Sequence, residues 1–277
     1  MQILLYLYRF LFCRKIFYKV NYHINRISLR GIGVLNSEGP QVTGESYYLK
    51  KLSKNTTIQV IVDVGANTGG YSEELRLYFP QADIYAIEPH PETFKKLSLA
   101  ANKYNFSAYK QGLGDHIGKE KLWDFAKDAK LKHTQPTSTL ASTLKDVIRE
   151  LHKQKTQAYW FNMNTLDNFA EEEMISEIDL LKIDIEGAEI TVLKGAKKLL
   201  KKNKISLIQF EFNEMNAYSR TFFKDFVDIL PNHEFYRIMP KGLYPLGIYR
   251  PSTHEIFAFQ NILAVPKKIH NIVDIYD

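Results

Sequence analysis

From Thr57 onward, short apolar runs alternate with amphipathic stretches, and this alternation restricts the fold more than any other feature: it is the pattern of successive strand and helix units feeding one parallel sheet. Residues 58–64 read as a buried strand, because strands covered on both faces are near-continuous apolar runs. Residues 71–79 read as a helix, apolar at Tyr71, Leu75, Tyr78 and Phe79, and 82–87 as the next strand, ended by Pro89 and Pro91. A helix over 92–104, a third strand over 107–111, a fourth over 178–183 and a fifth over 205–212 continue the series. A helix is predicted over 189–200, apolar at Ile190, Leu193, Ala196 and Leu200, with lysines near its C-terminal end where they favour the helix dipole. Two β-like runs, 234–239 and 255–265, bring the strands to seven. An insertion over residues 115–164 separates strands three and four; its length marks it as a functional lid or a disordered loop. No internal repeat or second domain is evident, so the expected organisation is an arm over residues 1–43 and one α/β domain over 44–277.

The chain has 277 residues, 45% of them hydrophobic, enough to bury a sizeable core. Its net charge of +6 lies at the front: no acidic residue precedes Glu38, whereas Arg9, Arg14, Lys15, Lys19, Arg26 and Arg30 do. A near-neutral body argues against an enzyme that tracks phosphates, so no nucleic-acid partner is expected. Residues 3–13 are apolar but interrupted by Arg9, and fall short of the roughly 20 residues that span a bilayer. A signal peptide would carry its charge before the apolar stretch, not after it, so a cytoplasmic location is expected. The single cysteine, Cys13, excludes an internal disulfide. Two readings of the arm stand: residues 1–30 make peripheral contact with an anionic membrane, Lys15, Lys19 and Arg26 sharing one side, or they pack on the domain, the reading preferred at this point.

The strongest single element is Asp63-Val-Gly-Ala-Asn-Thr-Gly-Gly70, where a strand ends and a helix begins. Gly65 permits the tight turn, Asn67 accepts left-handed angles, and Gly69 with Gly70 lets the backbone approach a ligand at the helix N-terminus. Glu88 ends the second strand, where a carboxylate can accept hydrogen bonds from both ribose hydroxyls. Together these point to a nucleoside-containing cofactor. A dinucleotide site would prefer glycine where Asn67 stands, because a pyrophosphate must approach that backbone closely. Asp115, in Gly112-Leu-Gly-Asp115, is either a contact for an adenine amino group or half of an ordinary Gly-Asp turn.

Asp184 and Glu186 fall at the C-terminal end of an otherwise buried parallel strand, the edge where open α/β sheets bind ligands, and Glu211 repeats the situation on the next strand. Two carboxylates at adjacent strand ends hold a divalent cation through oxygen ligands, or one of them serves as a base for an acceptor hydroxyl; the spacing does not choose. Glu189 reads as a first-turn helix charge or a brace for the loop. His133, His152 and His254 are weaker candidates for proton transfer, and residues 138–144 for a lid.

At these residues the chain resembles the FkbM family of S-adenosylmethionine-dependent methyltransferases: Asp63-Val-Gly-Ala-Asn-Thr-Gly, Glu88-Pro-His-Pro, Thr165-Leu-Asp-Asn-Phe, and Leu181-Lys-Ile-Asp-Ile-Glu-Gly-Ala-Glu with Leu193-Lys-Gly-Ala. The resemblance implies a class I methyltransferase (Rossmann-like) fold, a seven-stranded, mostly parallel sheet with helices on both faces, here with an N-terminal helical arm. It implies S-adenosylmethionine held by Asp63, Gly65, Ala66, Asn67 and Gly69 at the methionine part, by Glu88 at the ribose and by Asp115 at the adenine end. It further implies methylation of a hydroxyl on a sugar or other small acceptor; on their strand-end positions Asp184, Glu186 and Glu211 are the expected catalytic residues and Asp184 and Glu211 the expected ligands of any divalent cation. Residues 210–226 and 255–261 resemble members associated with cell-surface polysaccharide synthesis. The competing readings are a nicotinamide-dependent oxidoreductase, disfavoured by Asn67, a nucleic-acid base methyltransferase, disfavoured by Asp184-Ile-Glu-Gly187 where an Asn/Asp-Pro-Pro-aromatic stretch would stand, and a catalytically silent scaffold.

Overall fold

The computed structural model of the protein describes residues 1–125, 143 and 156–268. Two arm helices, α1 (Gln2–Phe12) and α2 (Tyr18–Gly31), precede α3 (Pro40–Thr43) and α4 (Glu45–Asn55). The first strand and helix units follow as β1 (Val60–Val64), α5 (Gly70–Tyr78), β2 (Asp83–Ile87), α6 (Pro91–Tyr104) and β3 (Ser107–Tyr109). Next come β4 (Gly112–Gly114), β5 (Gly118–Phe125), β6 (Thr156–Thr165) and α7 (Leu166–Glu172). The chain then runs through β7 (Ile178–Ile183), α8 (Glu189–Lys194), α9 (Lys197–Lys201), β8 (Ile205–Phe212), α10 (Met215–Ser219) and α11 (Phe223–Ile229). It closes with β9 (His233–Met239), β10 (Gly242–Pro245), α12 (Pro251–His254) and β11 (Gln260–Pro266).

The main sheet has the order β10-β9-β11-β8-β7-β1-β2-β3. From β3 to β8 neighbouring strands are parallel. β11 is antiparallel to both β8 and β9, so β9 runs in the common direction, and β10 folds back on β9. The eighth strand, absent from the sequence expectation, is β10: four residues ending in Pro245 are too short a run to carry a strand pattern. The sheet separates two apolar layers. In β7, Leu181 and Ile183 join the cluster under α7, α8 and α11, while Leu180 joins the one under α4, α5 and α6. Each side chain buried in this way contributes about 1.5–3 kcal/mol, which is why the central strands are predominantly apolar. Phe210 stacks on Phe226 with ring centroids 4.2 Å apart, fixing α11 on β8.

Four expectations need correction. The edges of the 115–164 insertion are not loop: β5 and β6 pair antiparallel and β6 also pairs with β4, forming a second sheet of order β4-β6-β5. Phe161 and Met163 point inward with Leu122 as a third small core, while Trp160 and Asn162 point out. His133 and His152 lie outside the described residues, as do residues 138–144 apart from Thr143. The helix expected over 189–200 breaks at Gly195, because β4 passes against it: a Cβ on Gly195 would stand 1.9 Å from the Gly114 carbonyl oxygen. The second half restarts as α9, capped by Asp167, whose carboxylate accepts the Lys198 and Leu199 amides. The run 255–265 becomes strand only from Gln260; Glu255 instead accepts the Phe223 and Lys224 amides at the start of α11. As for the arm, neither α1 nor α2 buries a residue, contrary to the packing preference. Contact with the domain begins beyond them, where the Leu35 amide donates to the Phe259 carbonyl and Arg237 donates to the Ile32 carbonyl. No described helix is long and apolar enough to cross a membrane.

Replacing Gly195 by Ala is expected to lower the unfolding free energy by about 1–3 kcal/mol, since β4 must shift to admit the methyl group. Chemical denaturation checks this, with the exposed Leu99→Ala on α6 as a control; an unchanged midpoint for the glycine variant would contradict the packing described.

Candidate active site

The C-terminal ends of β1, β2, β7 and β8 border a cavity of about 320 Å3. Its floor is set by Gly65, whose φ of +84° few side chains tolerate and whose Cβ would fall 1.9 Å from the Asp184 carbonyl oxygen. Only glycine lets the end of β1 approach the end of β7 this closely. The Gly65 and Ala66 amides donate to the Ile87 carbonyl at 2.9 and 3.0 Å, and Asn67 turns the chain with φ +52°. Gly69, at φ +95°, starts α5 and packs on Leu97 and Ala100.

Glu88 links the two turns. One carboxylate oxygen accepts the Asn67 amide at 3.1 Å and the other the His90 amide at 2.7 Å. Burial raises its pKa to about 7, against the lowering effect of these hydrogen bonds. Each oxygen keeps a second lone pair, so the group still has capacity for two donors from a ligand. Asn67 also lines the cavity, and its Oδ1 is buried with no hydrogen-bond partner among the described residues. Leu113, Leu122, Phe161 and Met163 form the apolar wall. The Glu88-Pro-His-Pro motif extends beyond the cavity: His90 accepts the Thr93 amide at the start of α6, and its Nε2 lies 3.2 Å from Asp124 Oδ2, both buried.

Asp184, Glu186 and Glu211 line the opposite end, so the three expected catalytic carboxylates do converge. Glu186 adopts φ +56°, an uncommon angle for a side-chain-bearing residue and a strain typical of functional sites. Burial, then the negative charges of Asp184 and Glu189, hold its pKa well above the usual carboxylate range. Glu211 is raised likewise by burial and by Asp184 and Glu186; it accepts from the Asn213 side-chain amide. Glu189 braces the loop, its Oε1 accepting the Ile185 and Gly187 amides at 3.1 and 3.0 Å.

Sequence reasoning missed Lys182 and Glu45. The Lys182 ammonium is buried 3.0 Å from Asp184 Oδ2 and 3.9 Å from Glu45. Burial pulls its pKa down, but Asp184, Glu45 and Glu211 outweigh that and raise it. The signal was present, a lysine inside Leu180-Leu-Lys-Ile183, where a parallel strand has no structural use for charge. Glu45 lies outside every motif; it enters because its carboxylate accepts from Gln209 at 2.7 Å. The structure does not bring every expected residue to the cavity. Asp115 is exposed outside the cavity lining, its carboxylate 2.8 Å from His116 Nδ1. Asp63 and Ala66 are buried behind the turn; Asp63 accepts from Ser72 Oγ at 2.6 Å, and burial raises its pKa to about 6. His254 is buried beside Phe223, away from the cavity. Among the described residues no group of three His, Cys, Asp or Glu side chains has the geometry to hold a metal ion.

A mostly parallel sheet completed by the antiparallel strands β11 and β10, with a crevice at the β1 and β7 ends, defines a class I methyltransferase fold. The profile of the methyltransferase FkbM domain matches residues 63–237, and the chain belongs to that family. It is 29% identical over 151 residues to Methyltransferase 1 of Beauveria bassiana, a match covering 49% of this chain and 57% of that one. It is 22% identical over 194 residues to 2-O-methyltransferase NoeI of Sinorhizobium fredii, covering 66% and 76%. A superposition on the crystal structure of methyltransferase FkbM from Methylobacillus flagellatus covers 75% of this chain and 44% of that one, at 13% identity and a TM-score of 0.45. The chain thus spans less than two thirds of some of the relatives it matches.

The raised pKa of Glu88 has a signed consequence. The folded state holds its proton longer than the unfolded chain does, so ionisation costs stability as pH rises from 4.5 to about 7. Glu88→Gln cannot ionise, so the difference in unfolding free energy, variant minus parent, is expected to grow across that window and level off above it. Urea denaturation at half-unit pH steps checks this, and a difference that shrinks with rising pH contradicts it.

Proposed function

We propose that the protein transfers a methyl group from S-adenosylmethionine to a hydroxyl of a sugar or other small acceptor. One observation carries the reading: a single cavity has hydroxyl-accepting groups at one end, an apolar wall beside them, and three carboxylates at the other end. That arrangement matches a nucleoside whose far end is a cation. In this reading Glu88 takes the ribose hydroxyls, Asn67 Oδ1 takes a further donor, and Leu113, Leu122, Phe161 and Met163 cover the base. The cofactor supplies an electrophilic methyl carbon on a sulfonium. Family membership supports methyl transfer, and the relative named a 2-O-methyltransferase supports oxygen as the acceptor atom. The acceptor class extends to glycans of cell-surface polysaccharide biosynthesis, on the likeness of residues 210–226 to such members.

The residues of the chain act mainly by alignment, which shortens the search for an in-line geometry. Glu211 takes the hydroxyl proton: a carboxylate whose pKa is raised by burial is better matched to proton acceptance near neutrality than an exposed one. Lys182 offsets the charge of Asp184, which lets three carboxylates share one end of the cavity. Asp184 and Glu186 border the acceptor side and orient its hydroxyl. No step is assigned to a metal ion.

The test is incubation of the purified chain with methyl-labelled S-adenosylmethionine and a panel of free sugars and nucleotide sugars. Label that survives mild alkali marks an ether on a hydroxyl; base-labile label marks a carboxyl ester and overturns the oxygen-ether reading, as does the absence of transfer to any hydroxyl compound. Glu211→Gln is expected to lower kcat by about a hundredfold to ten-thousandfold with little change in KM for the cofactor, and to flatten the rise of kcat with pH that the parent shows. A variant retaining parental kcat and pH profile contradicts the assignment.

A further inference from the structure

Helices α1 and α2 present apolar side chains to solvent on a scale that a finished surface does not carry. Neither buries a residue, and Ile3 and Leu4 are 79% and 72% exposed, with Leu5, Tyr6, Phe10, Val20, Ile24 and Ile27 also open. Isolated exposed apolar residues are ordinary, but a continuous set over two helices marks an interaction surface. The helices are tied to each other: Tyr8 donates to the Asn21 side chain at 2.6 Å, and Asn21 donates to the Phe12 carbonyl at 3.0 Å. What covers them is indicated by charge. No acidic residue lies before Glu38, and Arg9, Arg14, Lys15, Lys19 and Arg26 pair with no carboxylate among the described residues; Arg30 alone meets one, Glu38. On α2, Lys19 and Arg26 are seven residues apart and share one side, beside the stripe Val20, Ile24 and Ile27. Apolar side chains flanked by unpaired cations suit an anionic lipid surface, where the stems of Lys and Arg lie along the apolar layer and their heads meet the lipid phosphates. A second copy of this arm fits worse, because two such surfaces bring like charges together.

We propose that residues 1–31 form a helical hairpin that lies on anionic membrane and holds the catalytic domain at the lipid surface without crossing it. The proposal is independent of the reaction assigned to the cavity, since no residue of the arm lines it. The experiment is cosedimentation of the full chain with vesicles of phosphatidylcholine alone or mixed with phosphatidylserine, at low and high salt. Binding is expected to the anionic vesicles, weakened by salt and nearly absent on neutral ones. Neutralising Arg14, Lys15, Lys19 and Arg26 one after another to Gln is expected to weaken partitioning about fivefold for each cation removed. A Leu4→Ser, Leu7→Ser, Phe10→Ser triple variant tests the apolar part and should also lose binding. Circular dichroism and the urea midpoint of each variant provide a folding check that depends neither on lipid nor on the function of the cavity. Equal binding to neutral and anionic vesicles, or no vesicle binding together with a dimer that dissociates when residues 1–31 are removed, overturns the proposal.

Discussion

The contact on which the site depends is the approach of β1 to β7 at Gly65, where one added carbon would collide with the Asp184 carbonyl. Because that residue has no side chain, the turn after β1 lies flat against the end of β7. The turn after β1 and the Asp184 to Gly187 loop therefore become two sides of one cavity instead of two separate strand ends. The Gly65 and Ala66 amides bind back to Ile87 and the Asn67 amide to Glu88, so the same turn also fixes the end of β2. A carboxylate placed there loses hydration, which is why its pKa climbs even with two amides directed at it.

A second constraint runs across the sheet. Asp63 is in register with Lys182, and Lys182 with Gln209, so a polar row crosses the middle of an otherwise apolar layer. Each member is answered from the helix side or along the row: Asp63 by Ser72, Gln209 by Tyr71 and Glu45, Lys182 by Asp184 and Glu45. Buried charges cost several kcal/mol each unless paired, so a row of this kind is a poor way to gain stability. It makes sense as support for what lies one step further along the strands, where Asp184 and Glu211 must remain close together beside Glu186. The helix α4 belongs to the site for the same reason, through Glu45 at its start.

Much of this was legible because it follows from local rules. Strands β7 and β8 match the apolar runs residue for residue, since a strand buried on both faces leaves no other reading. The turn from Asp63 to Gly70 and the strand-end acids were readable because glycine at a strand end and carboxylates on a parallel strand have few structural uses. What escaped depends on contacts distant in sequence. Nothing near Gly195 says that β4 will pass against it, so the helix break was invisible. The hairpin of β5 and β6 was hidden by charged residues in Gly118-Lys-Glu-Lys, although the alternation around Phe161 and Met163 was there to be read. Asp115 could not be placed because Gly-Asp suits a turn as well as a ligand contact; in the fold its carboxylate lies against His116. The Thr165-Leu-Asp-Asn-Phe motif proved to be scaffolding: Thr165 caps α7 and Asp167 caps α9.

In the proposed function one cavity grips a sulfonium nucleoside between the turn after β1 and the carboxylate that ends β2. A crystal structure of the chain with S-adenosylhomocysteine examines it most directly. The account expects the ribose hydroxyls within hydrogen-bond distance of Glu88, the base against Phe161 and Met163, and the sulfur turned toward Asp184 and Glu211. Density for the nucleoside anywhere else on the fold, or a ribose that leaves Glu88 bound only to its two backbone amides, would contradict it.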